Sequence, residues 1–318
     1  MIAVTGEALI DLVIAPDGRI AAQPGGGPFN TARTVGRLGL TPVFLGRVSR
    51  DRFGRMLRDR LDADGVRVGV PELTGAPTTL AAVDVDPAGG AQYHFYLAGT
   101  SAADLEYPLL SGALPRDVTA LHAGTLALVM EPVATSIERL IAGALPPRAL
   151  VMIDPNCRPQ AITDRPAYLA RLGRILSRAD VAKVSTEDLA YLFPGMEVPA
   201  AAAAVADQGP VLVLVTDGPR TARAFLPDGQ VTVDVPPVTV ADTIGAGDAF
   251  GGAFLAWWSG QGLTRAELAQ AGLVRAALEV AVEVASLTCT RVGAEPPGRG
   301  EVTRWQSAAD GRRWQPLT

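Results

Sequence analysis

Val240-Ala241-Asp242-Thr243-Ile244-Gly245-Ala246-Gly247-Asp248-Ala249-Phe250 follows an apolar run and opens a segment rich in alanine and aromatic residues, among them Phe254, Trp257 and Trp258. Two glycines around an alanine, just ahead of a predicted helix, let successive backbone N–H groups converge on one concavity. The helix dipole adds to its attraction for an anion. Asp248 puts a carboxylate where that anion would sit. As an anion ligand it has the wrong charge. As a general base it is placed to take a proton from a hydroxyl attacking a phosphoryl group held by the neighbouring N–H groups. Taken alone, residues 245–248 read equally well as a helix N-cap.

The composition narrows the choice. A chain of 318 residues, 48% hydrophobic and 19% charged, suits one large α/β domain or a domain with an appendage. A net charge of -5 gives no electrostatic reason to expect nucleic acid or membrane as a partner. Lys183 is the sole lysine and precedes Val184, which excludes a Walker P-loop, where Ser or Thr must follow the lysine. His94 and His122 cannot form an H-E-x-x-H zinc site. Cys157 and Cys289 have no metal-ligand spacing and suggest a reducing compartment. The first residues lack a basic region and no apolar run reaches membrane-spanning length, so the expected location is the cytoplasm.

Residues 2–4 read as a short buried strand ending at Gly6. Residues 8–14 stay extended, turn at Pro16-Asp17-Gly18 and return through Ile20, a hairpin pattern around one acid, Asp11. The plain alternative for Asp11 is a surface acid on an edge strand. Pro24-Gly25-Gly26-Gly27-Pro28-Phe29-Asn30 lets backbone come close to a ligand before a helix that turns Ala32, Val35 and Leu38 inward. Residues 51–61 form an amphipathic helix with an arginine-rich solvent face. From 78 to 97 the period becomes two, with a turn expected at 86–90. This second hairpin would join the first in a small sheet. Alternation puts His94 and Tyr96 on one face, Tyr93 and Phe95 on the other. Apolar strands at 120–124, 150–154, 181–184 and 211–216, separated by helices, indicate a parallel sheet covered on both sides. Gly6 stands alone after the first strand, so the G-x-G-x-x-G of a dinucleotide-dependent oxidoreductase is missing.

Several segments, in matching order from Gly6 to Gly293, resemble the ribokinase-like (phosphofructokinase-B type) carbohydrate kinases, most of all the bacterial fructokinases. They are Gly6-Glu7-Ala8-Leu9-Ile10-Asp11, the glycine run to Asn30, Asp154-Pro155-Asn156-Cys157-Arg158-Pro159, Val215-Thr216-Asp217-Gly218 and the stretch around Asp248. The resemblance implies a three-layer α/β/α sandwich with a mostly parallel central sheet and a small β-sheet lid. The core would be residues 1–8, 24–72 and 101–318, the lid 9–23 and 73–100, and a homodimer would form through the lid. It further implies transfer of the γ-phosphoryl of ATP to a sugar hydroxyl. Asp248 would be the base, Gly245, Ala246 and Gly247 the anion hole, and Arg158 a neutralising cation. Asp11, Gly26, Gly27, Asn30 and Tyr96, with Asp248, would bind the sugar. Lys183, Ser185, Thr216, Gly218 and Gly293, with Gly245 and Gly247, would bind the nucleotide.

Residues 183–188, Lys183-Val184-Ser185-Thr186-Glu187-Asp188, depart from the family pattern N-x-x-E, with Ser185 for Asn and Asp188 for Glu. Asp188 is the implied organiser of Mg²⁺ through water, with Glu187 the alternative, and a monovalent cation such as K⁺ is a further implied cofactor. Residues 25–32 and 154–159 favour fructose as the sugar. The alternative, 2-keto-3-deoxygluconate, has a carboxylate that wants a cation. None lies between Pro71 and Pro115, which leaves Arg19 or Arg33. Ribose and nucleosides stay open. A non-catalytic sugar-binding relative would lose the base, and Asp248 is present.

Overall fold

The computed structural model describes residues 1–85 and 91–304, so the turn expected at 86–90 lies outside the described residues. The strands are β1 (Ile2–Thr5), β2 (Leu9–Ile14), β3 (Ile20–Gly25), β4 (Val43–Leu45), β5 (Arg67–Val68), β6 (Thr79–Val85), β7 (Ala91–Tyr96), β8 (Ala120–Gly124), β9 (Leu150–Asp154), β10 (Val181–Ser185), β11 (Leu212–Thr216), β12 (Thr221–Leu226) and β13 (Gly229–Asp234). They build a nine-stranded sheet in the order β13-β12-β11-β10-β9-β8-β1-β4-β5 and a four-stranded sheet in the order β3-β2-β6-β7.

From β11 to β5 every neighbouring pair is parallel, and β12 and β13 return antiparallel at one edge. Strands β8 and β9 are buried at every position, as expected when helices cover both faces. Along β9, Leu150 and Met152 enter one hydrophobic core while Val151 and Ile153 enter the other. The first core is closed by the helices Gly27–Arg37, Ala246–Gly260 and Ala271–Cys289. The second is closed by Val133–Gly143 and Arg165–Leu176. These are the three layers.

The Ala246–Gly260 helix lies between its two neighbours and is buried continuously from Asp248 to Trp258, which explains why it is apolar all round. Burying Phe250 and Phe254 there contributes about 1.5–3 kcal/mol each. The two expected hairpins do share the small sheet, joined by a parallel β2–β6 pairing. In β7, Tyr93 and Phe95 are half-buried while His94 and Tyr96 face solvent. Among the described residues no helix is long and apolar enough to cross a membrane.

Candidate active site

Strands β1, β8, β9, β10 and β11 run parallel, so their carboxyl ends meet at one sheet edge, where open α/β sheets hold ligands. The residues at or just past those ends face a single cavity of about 840 Å³: Glu7 after β1, Thr125 after β8, Asn156 and Arg158 after β9, Lys183, Ser185 and Glu187 around the end of β10, Thr216 and Gly218 at β11. The small sheet supplies Leu9, Asp11, Tyr93 and Phe95 to one wall. Gly26, Gly27 and Asn30 supply another. The far end is apolar, with Val235, Pro236, Pro237 and Val238 opposite Val282, Ala285 and Cys289 of the Ala271–Cys289 helix.

The turn at residues 245–248 lines this cavity as well. Gly245 is the N-cap of the Ala246–Gly260 helix with φ 77°, the left-handed region where glycine carries no steric penalty. Asp248 follows in the first helical turn and is buried. Asn30 Nδ2 donates to Asp248 Oδ2 at 2.9 Å, while Asn30 Oδ1 has no partner among the described residues. Burial raises the Asp248 carboxyl above its ordinary range. The Asn30 hydrogen bond and the charges of Lys183 and Arg158 pull it back. Burial likewise pushes Asp11 up to about 7, helped by the Asp248 charge and opposed by Arg158. The two carboxylates and the arginine therefore share one electrostatic environment.

Lys183 is buried, with Nζ 3.0 Å from Asp154 Oδ2. Burial alone would lower its pKa, yet the carboxylates of Asp154, Asp188 and Asp248 outweigh that and hold it above an ordinary lysine. Among the described residues Arg158 and Lys183 are the only cationic side chains lining the cavity. Arg158 Nη1 donates only to carbonyls of its own segment, Asn156 and Cys157, and forms no ion pair among the described residues.

Asp11, Gly26, Gly27, Asn30, Arg158, Lys183, Ser185, Thr216, Gly218, Gly245, Ala246, Gly247 and Asp248 all line the cavity. Three of the residues singled out in the sequence do not. Tyr96 is turned to solvent, 60% exposed, because the pleat gives the cavity face of β7 to Tyr93 and Phe95. Gly293 sits behind the turn and donates its N–H to Asp242 Oδ2. Asp188 is spent on capping: its Oδ2 accepts from Ser185 N and Oγ at 2.8 and 2.9 Å, and its Oδ1 accepts from Cys157 N at 2.6 Å. At the third position of a helix an acid points back at its own N-cap, so Glu187 is the acid that faces the cavity. Arg19 and Arg33 are also elsewhere. Arg19 pairs with Asp17 at the surface, and Arg33 is buried against Asp64.

Sequence reasoning missed Glu7 and Thr125 as well as Tyr93 and Phe95. Glu7 is buried, and its two oxygens accept from Gly27 N at 3.1 Å and Ala127 N at 3.0 Å. An acid directly after a buried strand was the available signal.

A mostly parallel sheet and a second small sheet both line this one cavity, and a match to a family of such enzymes makes the chain an ATP-dependent carbohydrate kinase. The chain belongs to the pfkB family of carbohydrate kinases, which it matches over residues 1–298. It is 35% identical to a fructokinase of Rhizobium leguminosarum bv. trifolii over 260 residues, 80% of this chain and 79% of that one. The structure of fructokinase with bound ATP from Xylella fastidiosa superposes with a TM-score of 0.88 at 29% identity, covering 96% of this chain and 98% of that one. Fructokinase from Vibrio cholerae O395, in a fructose, ADP and calcium ion bound form, gives 0.79 at 28% identity over 92% and 94%.

Proposed function

We propose that the chain is a fructokinase in which Asp248 deprotonates the sugar hydroxyl that attacks the γ-phosphoryl of ATP. The observation that carries this reading is the Asp248 carboxylate in the first turn of a buried helix, held by Asn30 Nδ2 and lining the same cavity as Gly245, Ala246 and Gly247. In the step, a bond forms between the sugar oxygen and phosphorus, the bond from phosphorus to the ADP oxygen breaks, and the hydroxyl proton passes to Asp248. Asn30 Oδ1 and Asp11 fix the sugar hydroxyls. The backbone N–H groups of Gly245 and Gly247, with Arg158 and Lys183, stabilise charge on the transferring oxygens, while the Ala246 N–H donates to the Thr243 carbonyl at 3.3 Å. The apolar end between Val235–Val238 and the Ala271–Cys289 helix takes the adenine, and Thr216 and Gly218 contact the nucleotide.

Mg²⁺ fits a site of this kind, because it keeps several waters and needs few protein carboxylates, and Glu187 is an acid on the cavity. When bound, the metal would screen the phosphate charges. A monovalent cation such as K⁺ is a second candidate. Fructose is favoured over 2-keto-3-deoxygluconate because similar chains and structures are fructokinases, and because Arg33 is buried against Asp64, away from the cavity. The exposed outer face of the small sheet, with Ile20 and Tyr96, suits a second copy of the chain, and the free cysteines suit the cytoplasm.

The test is ADP release with Mg-ATP across fructose, 2-keto-3-deoxygluconate, ribose and nucleosides, for the wild type and Asp248→Asn. Fructose should lead by at least about tenfold in kcat/KM. Asp248→Asn should lose about 10²–10⁴ in turnover while binding ADP as before. A stronger response to another acceptor would replace fructose, and near-normal turnover of the variant would remove Asp248 as the base.

A further inference from the structure

Arg33 lies one turn beyond Asn30 on the Gly27–Arg37 helix, among inward-facing apolar residues, and only 1% of its side chain is exposed. Its guanidinium is used on three sides. Nε donates to Asp64 Oδ2 at 2.6 Å, Nη1 to the Ala294 carbonyl at 2.7 Å, and Nη2 to both oxygens of Glu295 at 3.1 Å. Arg37 reaches Asp64 at 3.2 Å and Arg60 reaches Glu295 at 2.7 Å. Three arginines thus meet two acids, leaving one net positive charge.

The residue that Arg33 holds is the one that backs the anion hole. A Cβ placed on Gly245 would be 2.5 Å from Ala294 Cβ, so Ala294 forms the floor under the left-handed N-cap. Next to it, Gly293 N donates to Asp242 Oδ2 at 2.9 Å, and Asp242 Oδ1 accepts from Ile244 N at 3.0 Å. The turn at 293–294 therefore braces both ends of residues 242–245. Arg33 reaches that turn from the same helix whose Asn30 holds Asp248.

We infer that Arg33 is a positioning residue for the phosphoryl-transfer step: through Ala294 it fixes Gly245, and with it the N–H groups of the anion hole relative to Asp248. The inference rests on the kinase reading above. A buried ion cluster is in general a poor source of stability, since apolar replacements often serve as well. Here the planar fork matters, because the single nitrogen of a lysine cannot occupy the places of three guanidinium nitrogens that each donate in a different direction. Small displacements of donors from the reacting atoms cost rate far more than they cost binding.

The test compares wild type, Arg33→Lys and Ala294→Gly by thermal unfolding, by kcat and sugar KM well below the melting temperature, and by backbone amide exchange over residues 242–248. Arg33→Lys should lose about 10–100-fold in kcat, keep sugar KM within about threefold and exchange faster at residues 245–247. Ala294→Gly removes the floor without touching the ion cluster and should reproduce both changes, which decides the matter if Arg33→Lys does not fold. Unchanged kcat together with unchanged exchange in the folded variants would overturn the inference, whatever happens to the melting temperature. A wild type inactive on every acceptor would instead defeat the assignment of substrate, and the exchange data would still decide the role of Arg33.

Discussion

Glu7 is a carboxylate with two backbone donors and, among the described residues, no ion-pair partner. Burial dominates its environment and pushes it up to about 7, against the lowering effect of the Thr125 side chain and of those backbone hydrogen bonds. Its folded pKa thus lies above the unfolded value of 4.5, so the folded state holds the proton more tightly. The resulting stabilisation is complete below pH 4.5 and is lost as pH rises through 7. Glu7→Gln stays neutral at every pH but keeps one acceptor oxygen for two donors. The variant should therefore be less stable than wild type at pH 5. The gap should narrow by up to about 3 kcal/mol toward pH 8, following from about 1.4 kcal/mol per pKa unit. Urea unfolding of both proteins at pH 5, 6.5 and 8 measures it. A gap that widens with pH would mean that the folded state prefers the charged Glu7.

At the scale of elements, the position of Asp248 depends on how closely the Gly27–Arg37 and Ala246–Gly260 helices approach. Gly252 is the contact that permits it: a Cβ there would lie 2.8 Å from Thr34 Cβ and 2.9 Å from the Thr31 carbonyl oxygen. Thr31 also donates its hydroxyl to the Asp248 carbonyl at 3.3 Å, and Asn30 is its neighbour. Gly252→Val should cost about 1–3 kcal/mol of stability through overpacking. It should also lower kcat by separating Asn30 from Asp248. Gly251→Ala, whose Cβ would meet only the flexible end of Met152 at 3.3 Å, should do neither. Heat unfolding and turnover of the two variants check the contrast, which would fail if both behaved alike. The buried parallel strands and two of the hairpins were legible because their periods are strong, and they appear where the apolar runs and the alternation put them, whereas the antiparallel β12–β13 edge was not read from the sequence. Side-chain direction at a given position was harder to read. Nothing in an alternating strand says which face meets the ligand, so Tyr96 stood in for Tyr93 and Phe95. At 185–188 the legible signal was a capping box, Ser185 with Asp188, and following it would have left Glu187 as the acid on the cavity. The Val235–Val238 wall has no motif. It exists only because β13 ends beside the Ala271–Cys289 helix in three dimensions.

Across the whole molecule, the cavity is divided between two sheets that have different tasks. The large sheet and its helices carry Asp248, Arg158, Lys183 and the apolar end, whereas the small sheet contributes Leu9, Asp11, Tyr93 and Phe95. Tyr93 and Phe95 stack with ring centroids 5.9 Å apart and planes at 17°, which makes a continuous aromatic cover rather than two separate contacts. A kinase with a base and a bound triphosphate must keep water from taking the place of the sugar hydroxyl, and on the proposed reading Tyr93 and Phe95 would perform that exclusion over the sugar. Phe95→Ala opens the cover without touching a charged group, and Phe95 is only half-buried, so the melting temperature should change little. Sugar KM should rise about tenfold, the loss expected from removing roughly 1.4 kcal/mol of contact. The more discriminating quantity is the ratio of ADP released to sugar phosphate formed at saturating sugar. It should be one for the wild type and rise above one for Phe95→Ala as water competes for the phosphoryl group. A variant with raised KM and a ratio still at one would leave Phe95 as a sugar contact and assign the exclusion of water to the large-sheet side of the cavity.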